Sequence, residues 1–242
     1  MLATVLVYAV SYAASLLQAL FLPVLSLYAE QLGLSEAETG LVAGIGTFLY
    51  VPVALTSEII VRRAGYRKPA ALSLALVAAG FAALAVAQTS HQLAMAAGLV
   101  SLGYGIFWPC IEKAASAHGG NTQLFSVSWS AGSLTGALAI APLLSFGFRS
   151  LYLFCSASAL ALVPLPLLLR GPRAAVEGAA TRPLALWRSW ILCVGYSTSA
   201  GGLLTFYPLL AQRFNLTSYV VSLAVFSMMI ARTATFYLLG RV

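Results

Sequence analysis

Arg170-Gly171-Pro172-Arg173-Ala174-Ala175-Val176-Glu177-Gly178-Ala179-Ala180-Thr181-Arg182-Pro183 is the one long polar break in an otherwise apolar chain. Extended to Arg188, it holds four of the thirteen basic residues, with two prolines and two glycines. Proline removes a helix hydrogen bond and glycine raises the entropy cost of ordering, so residues 170–186 read as a linker. On its N-terminal side lie apolar runs at 4–28, 37–61, 69–88, 92–115, 123–146 and 149–169; on its C-terminal side lie 187–211 and 218–240. Each is long enough to cross a hydrocarbon core of about 30 Å, which takes about 20 helical residues. Lipid offers backbone groups no partner, so these runs must be helices. A β-barrel would need alternating segments of about 10 residues, and the sequence has none. The expected fold is therefore all-α, a polytopic membrane helical bundle. It divides into a six-helix unit (1–169), a linker (170–186) and two further helices (187–242).

Composition agrees. Of 242 residues, 61% are hydrophobic and 8% charged, with a mean hydropathy of +0.93. Soluble domains carry about 25% charged residues, and a water-facing surface cannot be made from a third of that. The net charge of +7 is a matter of placement. Arg62, Arg63, Arg67, Lys68, Lys113, Arg170, Arg173, Arg182, Arg188 and Arg241 all fall on one side when spans are counted. Arg149 and Arg213 fall on the other, with Glu30, Glu36 and Glu38. The basic side is cytoplasmic by the positive-inside rule. That places the N-terminus inside the cell, in a multi-pass protein of the cell (plasma) membrane, and leaves no role for nucleic acid.

Enzyme chemistry has little to work with. The chain has no Asp, and its two histidines, His91 and His118, sit near helix ends. Aspartate dyads, paired-His metal sites and a Ser-His-Asp triad are excluded, as is a Gly-rich phosphate loop with Lys. No cofactor and no metal are expected. Cys110, Cys155 and Cys193 lie inside spans without paired spacing and read as small apolar residues.

A weak internal repeat supports the division. Leu32-Gly33-Leu34-Ser35, followed by Gly40-Leu41, returns 182 residues later as Phe214-Asn215-Leu216-Thr217, followed by Ser222-Leu223. In both, a span ends, a short loop passes, and Ser or Thr stands where an N-cap is expected. The first and seventh helices would be equivalent if a six-helix unit repeats. The same offset carries Glu58 onto Gly240, so the second copy stops just before its own basic loop. The expectation is a chain truncated after its eighth helix, unable to complete a transport cycle alone.

The loop between the second and third spans reads Glu58, then Arg62-Arg63-Ala64-Gly65-Tyr66-Arg67-Lys68. It resembles the Gly-x-x-x-Asp-Arg-x-Gly-Arg-Arg/Lys motif of the major facilitator superfamily (MFS), whose members join two six-helix halves by a cytoplasmic linker. Arg63, Gly65 and Arg67 match; Glu58, Arg62 and Tyr66 depart. The resemblance implies an MFS-like six-helix N-terminal half plus the first two helices of the C-terminal half. It makes Glu58, Arg63, Gly65 and Arg67 gating residues. Arg62 occupies the place of the family's Asp, so the gate either takes its carboxylate from Glu58, one turn away, or lacks one. Gly103 and Gly105 echo a fourth-helix Arg-x-x-x-Gly-x-Gly pattern, with Leu99 in the Arg place associated with proton transfer. Gly132 to Ala137 echoes the Gly-x-x-x-Gly-Pro of drug/proton antiporters, with Ala137 for Pro; close helix packing is the plainer reading.

Polar groups facing lipid are costly, so a polar stripe should look inward. In the first span Tyr8, Ser11, Tyr12, Ser15 and Gln18 fall within an arc of about 120° at helical spacing. Tyr8, Tyr12, Ser15 and Gln18 are candidate substrate contacts; interhelical hydrogen bonding is the alternative. Tyr196 and Ser199, with Thr205 and Tyr207 around Gly201-Gly202, form a matching feature in the seventh span. Tyr104 and Trp108 before Pro109, with Ser126 and Trp129, are able to reach the same space, and core packing is their plainer role. The resemblance places the first, fourth and seventh helices around a central cavity. Two charges are notable. Arg232 sits about 12 Å inside the eighth span at 1.5 Å per residue, either snorkelling or facing the cavity. Glu112 stands beside Lys113, where a local ion pair is the plainer reading.

Together these readings point to secondary transport of a small solute by alternating access, with the lipid bilayer as surroundings and a coupling ion such as a proton as a further partner. A channel, a non-transporting receptor and an inactive fragment are the alternatives. The candidate residues, aromatic and hydroxyl-rich, favour a neutral or amphipathic solute.

Overall fold

The computed structural model describes residues 2–169 and 187–239, excepting the side chains at 55, 58, 187–190, 192–194, 196–197 and 235–239. Among the described residues the chain is helical, without strands. It forms α1 (Leu2–Gln31), α2 (Glu36–Ala64), α3 (Arg67–Leu84), α4 (Ser90–Ala117), α5 (Thr122–Leu144), α6 (Phe148–Leu162), α7 (Pro164–Leu168), α8 (Trp187–Arg213) and α9 (Ser218–Leu239). The sixth apolar run is the pair α6 and α7. Pro164 has no N–H for the ladder, and the Val163 N–H bonds instead to the Leu160 carbonyl. Among the described residues six stretches are long and apolar enough to cross a membrane: α1, residues 36–54 of α2, α3, α4, α5, and α6 with α7. The expected linker at 170–186, with Arg170, Arg173 and Arg182, lies outside the described residues.

Local chemistry fixes the helix ends. Ser35 caps α2 in a capping box with Glu38: its hydroxyl accepts from the Glu38 N–H, and its own N–H donates to the Glu38 carboxylate at 2.8 Å. Thr89 and Asn121 cap α4 and α5 through their side-chain oxygens. α2 stops at Gly65, at φ 73° and ψ 179°, a region that a Cβ makes costly.

Small residues let the helices approach one another. α1 packs against α5, where a Cβ on Gly132 would lie 2.1 Å from the Tyr12 carbonyl oxygen and one on Gly136 2.3 Å from that of Leu16. α4 packs on α2 and α3, and α6 also packs on α3. Tyr104, Phe81, Phe107, Leu74, Leu93 and Tyr152 are among the large side chains that are fully buried. Leu41, Phe48, Leu72, Met95 and Leu153 face outward, the orientation lipid favours.

α8 and α9 fold back onto this bundle: α8 against α1 and α2, with Phe206 meeting Gly40, and α9 against α5. At one crossing Ser222 Oγ accepts the Ala141 N–H at 2.9 Å.

The two ends of the bundle differ in charge. At one, the Thr4 hydroxyl donates to the His118 carbonyl at 3.0 Å, and the Tyr8 hydroxyl to that of Asn121 at 3.1 Å. Tyr66 and His118 Nε2 share a 3.1 Å hydrogen bond there, and the Arg67 guanidinium donates to the Leu167 carbonyl. Burial pushes the Tyr66 phenol above its ordinary value, so it stays neutral in this contact. Arg62, Arg63, Lys68 and Lys113 cluster at this end in chain order. At the other end Arg213 pairs with Glu36, and the Tyr28 hydroxyl donates to the Ala87 carbonyl at 2.7 Å.

Candidate functional site

Four residues expected from the sequence meet within the bundle, each from a different helix. Gln18 lies midway along α1, and its Oε1 accepts the Trp108 Nε1–H of α4 at 2.9 Å. Trp108 meets Trp129 of α5 edge to face, with centroids 6.3 Å apart at 65°. Above the Trp129 ring stands Arg232 of α9, its guanidinium carbon 4.7 Å from the centroid. Trp108 is also backed by Phe107 at 5.1 Å. The result is a continuous chain of contacts, amide to indole to indole to guanidinium, spanning the join between the first six spans and α9.

Helix geometry aims these side chains. Gln18 continues the α1 stripe of Tyr8, Tyr12 and Ser15 at steps of three and four, and Trp108 lies one turn beyond Tyr104 on α4. The rest of the α1 stripe is used differently. Thr135 donates its single hydroxyl proton to the Ala131 carbonyl, so it accepts from the Tyr12 hydroxyl at 2.8 Å. Ser133 donates to the Trp129 carbonyl and accepts from Ser15 at 2.7 Å. Ser11 donates to the Val7 carbonyl of its own helix, and Tyr8 bonds to the α4–α5 turn. Of these, the Tyr12 and Ser15 hydrogen bonds join α1 to α5. Tyr104 is 1% exposed and donates to the Ala14 carbonyl at 3.0 Å, a place in the wall between α4 and α1.

Ser199 is exposed on α8, and the side chains of Tyr196 and Glu58 lie outside the described residues. Arg63 is exposed beside Gly65 at the basic end, where Arg67 ties the α2–α3 loop to α7. Glu112 is exposed on α4, one turn from Trp108, and the ion pair expected with Lys113 is not formed among the described residues. Adjacent helix residues point about 100° apart and do not face each other, which accounts for that correction.

Thr135, Ser133 and Ser222 were not singled out as partners from the sequence; Ser133 and Thr135 lie in the Gly132 to Ala137 stretch that signals close packing, while Ser222 lies among larger residues that give no such signal. Also unforeseen is an open cavity of about 890 Å³ at the Arg213 end, with Tyr28, Glu30, Phe148, Arg149 and Gln212 among its lining. Among the described residues no group of His, Cys, Asp or Glu is placed to hold a metal.

Comparison with known proteins adds the following. A search of the curated proteins gives no match. Among solved structures, a crystal structure of an alanine-substituted mutant of the nucleoside transporter NupG superposes with a TM-score of 0.78 at 15% identity. The match covers 98% of this chain and 66% of that one, so the chain spans just under two thirds of that structure's length. At this identity the likeness concerns the fold. The sequence pattern of the Major Facilitator Superfamily matches residues 3–242, and by that match over nearly its whole length the chain belongs to the major facilitator superfamily.

Proposed function

We propose that the protein carries a small solute across the cell membrane by alternating access, with the N-terminus cytoplasmic and the solute site between α1, α4, α5 and α9. One observation carries this reading. The contact chain from Gln18 through Trp108 and Trp129 to Arg232 joins the first six spans to α9 inside the bundle. Rocking two bundles about a central site requires polar groups at such a join, and lipid-exposed surfaces tolerate them poorly. Family membership supports transport over an enzyme or a receptor. The charge asymmetry between the ends supports the orientation.

The test is solute counterflow in proteoliposomes holding the product of the whole reading frame that contains this sequence. The vesicles are loaded in turn with sugars, nucleosides, amino acids and organic acids. Saturable exchange of a labelled solute within one class is the expected result. Passive conductance that follows the membrane potential and does not saturate would place the protein among channels instead.

A further inference from the structure

Arg232 is the one basic side chain among the described residues placed away from both ends of the bundle. An arginine near a helix end ordinarily extends its stem to carry the charge to water. Arg232 turns onto Trp129 instead. The side chain is half-buried, and its Nε and Nη2 are closed off from water with no hydrogen-bond acceptor among the described residues. The described carboxylates lie elsewhere: Glu30, Glu36 and Glu38 at the Arg213 end, and Glu112 in the last turns of α4. None of them pairs with Arg232.

A ring face offsets part of the hydration a cation loses on burial. It supplies no acceptor for the N–H groups, and an unmet donor in a dry site is costly. Nε and Nη2 form the side edge of the planar guanidinium, and the two parallel N–H bonds of that edge fit the two oxygens of a carboxylate.

We propose that this edge is the anion-recognising group of the central site and that the solute is an amphipathic monocarboxylate. Its carboxylate sits on Arg232 and its apolar body against Trp108 and Trp129. The inference rests on the transport reading above and deepens it by naming the substrate class. One cation matches one negative charge. Beyond it the surroundings are aromatic, with Phe107, Trp108 and Trp129 in contact, and Gln18 keeps an amide N–H₂ as a further donor. A neutral solute would leave the guanidinium edge unmet; a dicarboxylate would bring a second charge among indoles. The edge is closed in the conformation described, so the carboxylate reaches it only as α5 and α9 part. Binding is thereby linked to movement between the two bundles.

The experiment measures thermal unfolding of the full chain in detergent with benzoate, with benzamide as its neutral counterpart, and with inorganic phosphate. Benzoate is expected to raise the midpoint saturably, while benzamide and phosphate at equal concentration leave it in place. Arg232→Gln should weaken benzoate binding at least about tenfold, and Arg232→Lys, which keeps the charge without the fork, should fall between. Equal shifts with benzoate and benzamide, no shift with benzoate, a phosphate shift matching benzoate's, or unchanged affinity in Arg232→Gln would each overturn the proposal. The comparison on the unsubstituted chain decides the matter even where Arg232→Gln does not fold. Counterflow of some other solute by a protein indifferent to benzoate would leave transport standing and remove the carboxylate assignment alone.

Discussion

Arg232 holds its guanidinium carbon 4.7 Å from the centre of the Trp129 ring, across the contact between α9 and α5. A cation over an indole face contributes about 0.5–2 kcal/mol, more when desolvated. Trp129→Leu is therefore expected to destabilise the protein by about 2 kcal/mol or more, since it also leaves space in the bundle. Arg232→Met should cost less in the Trp129→Leu background than alone, because the charge to be accommodated has by then lost its ring. A thermal-denaturation double-mutant cycle reads this coupling; strictly additive losses would mean that the two residues stabilise independently.

Gly132→Ala tests the α1–α5 crossing. In an open helix that change is favourable by about 1 kcal/mol. Here the new Cβ would lie 2.1 Å from the Tyr12 carbonyl oxygen, so the helices must separate at an expected cost of about 1–3 kcal/mol. A lower unfolding midpoint is the predicted outcome, and a rise would show that α1 and α5 are not in backbone contact at this point.

Gly65→Ala isolates backbone strain. Nothing lies within 4 Å of the position a Cβ would take, yet φ is 73° with ψ 179°. The expected loss is about 1–3 kcal/mol with no change in packing. Ser35→Ala at the opposite end of α2 should lose about 1 kcal/mol through its capping box. With the two sites at opposite ends of one helix, the double variant is expected to be additive.

The pair between Arg213 and Glu36 is a useful contrast, because its side chains are 64% and 52% exposed. Solvent screening limits such a pair to about 0–1 kcal/mol. Glu36→Gln is expected to move the unfolding midpoint little at low salt and not at all at 1 M salt, where the Debye length is about 3 Å. A large, salt-resistant loss would show that the pair is shielded.

The sequence carried the fold further than the site, for physical reasons. Lipid forces each span into a helix of known minimum length, so the apolar runs from 4–28 to 218–240 could be placed by counting, and Ser35 marks where the second helix starts. Counting runs 149–169 together as one span, and the break at Val163, beside Pro164, is a finding of the structure. A helix's own periodicity, however, says nothing about which neighbour its stripe meets. Tyr12 and Ser15 find Thr135 and Ser133 on α5, while Gln18, on the same stripe, finds Trp108 on α4. Arg232 posed the same problem more sharply. Snorkelling and facing the cavity suit its place in the sequence equally, and the Trp129 ring it stands over belongs to a helix about a hundred residues earlier. Glu112 and Lys113 show the converse, where sequence neighbours are pointed apart by the helix that contains them.

The central claim is that the solute site is framed by Gln18, Trp108, Trp129 and Arg232. Its most direct test is counterflow by the product of the whole reading frame, comparing Trp108→Ala and Gln18→Ala with Tyr104→Phe. Tyr104 sits in the wall on the same helix as Trp108, bonded to the Ala14 carbonyl. Losses of at least about tenfold in the first two variants, or about 1.4 kcal/mol or more, with exchange within about twofold in the third, are the predicted pattern. Exchange that survives Trp108→Ala and Gln18→Ala unchanged would contradict the account.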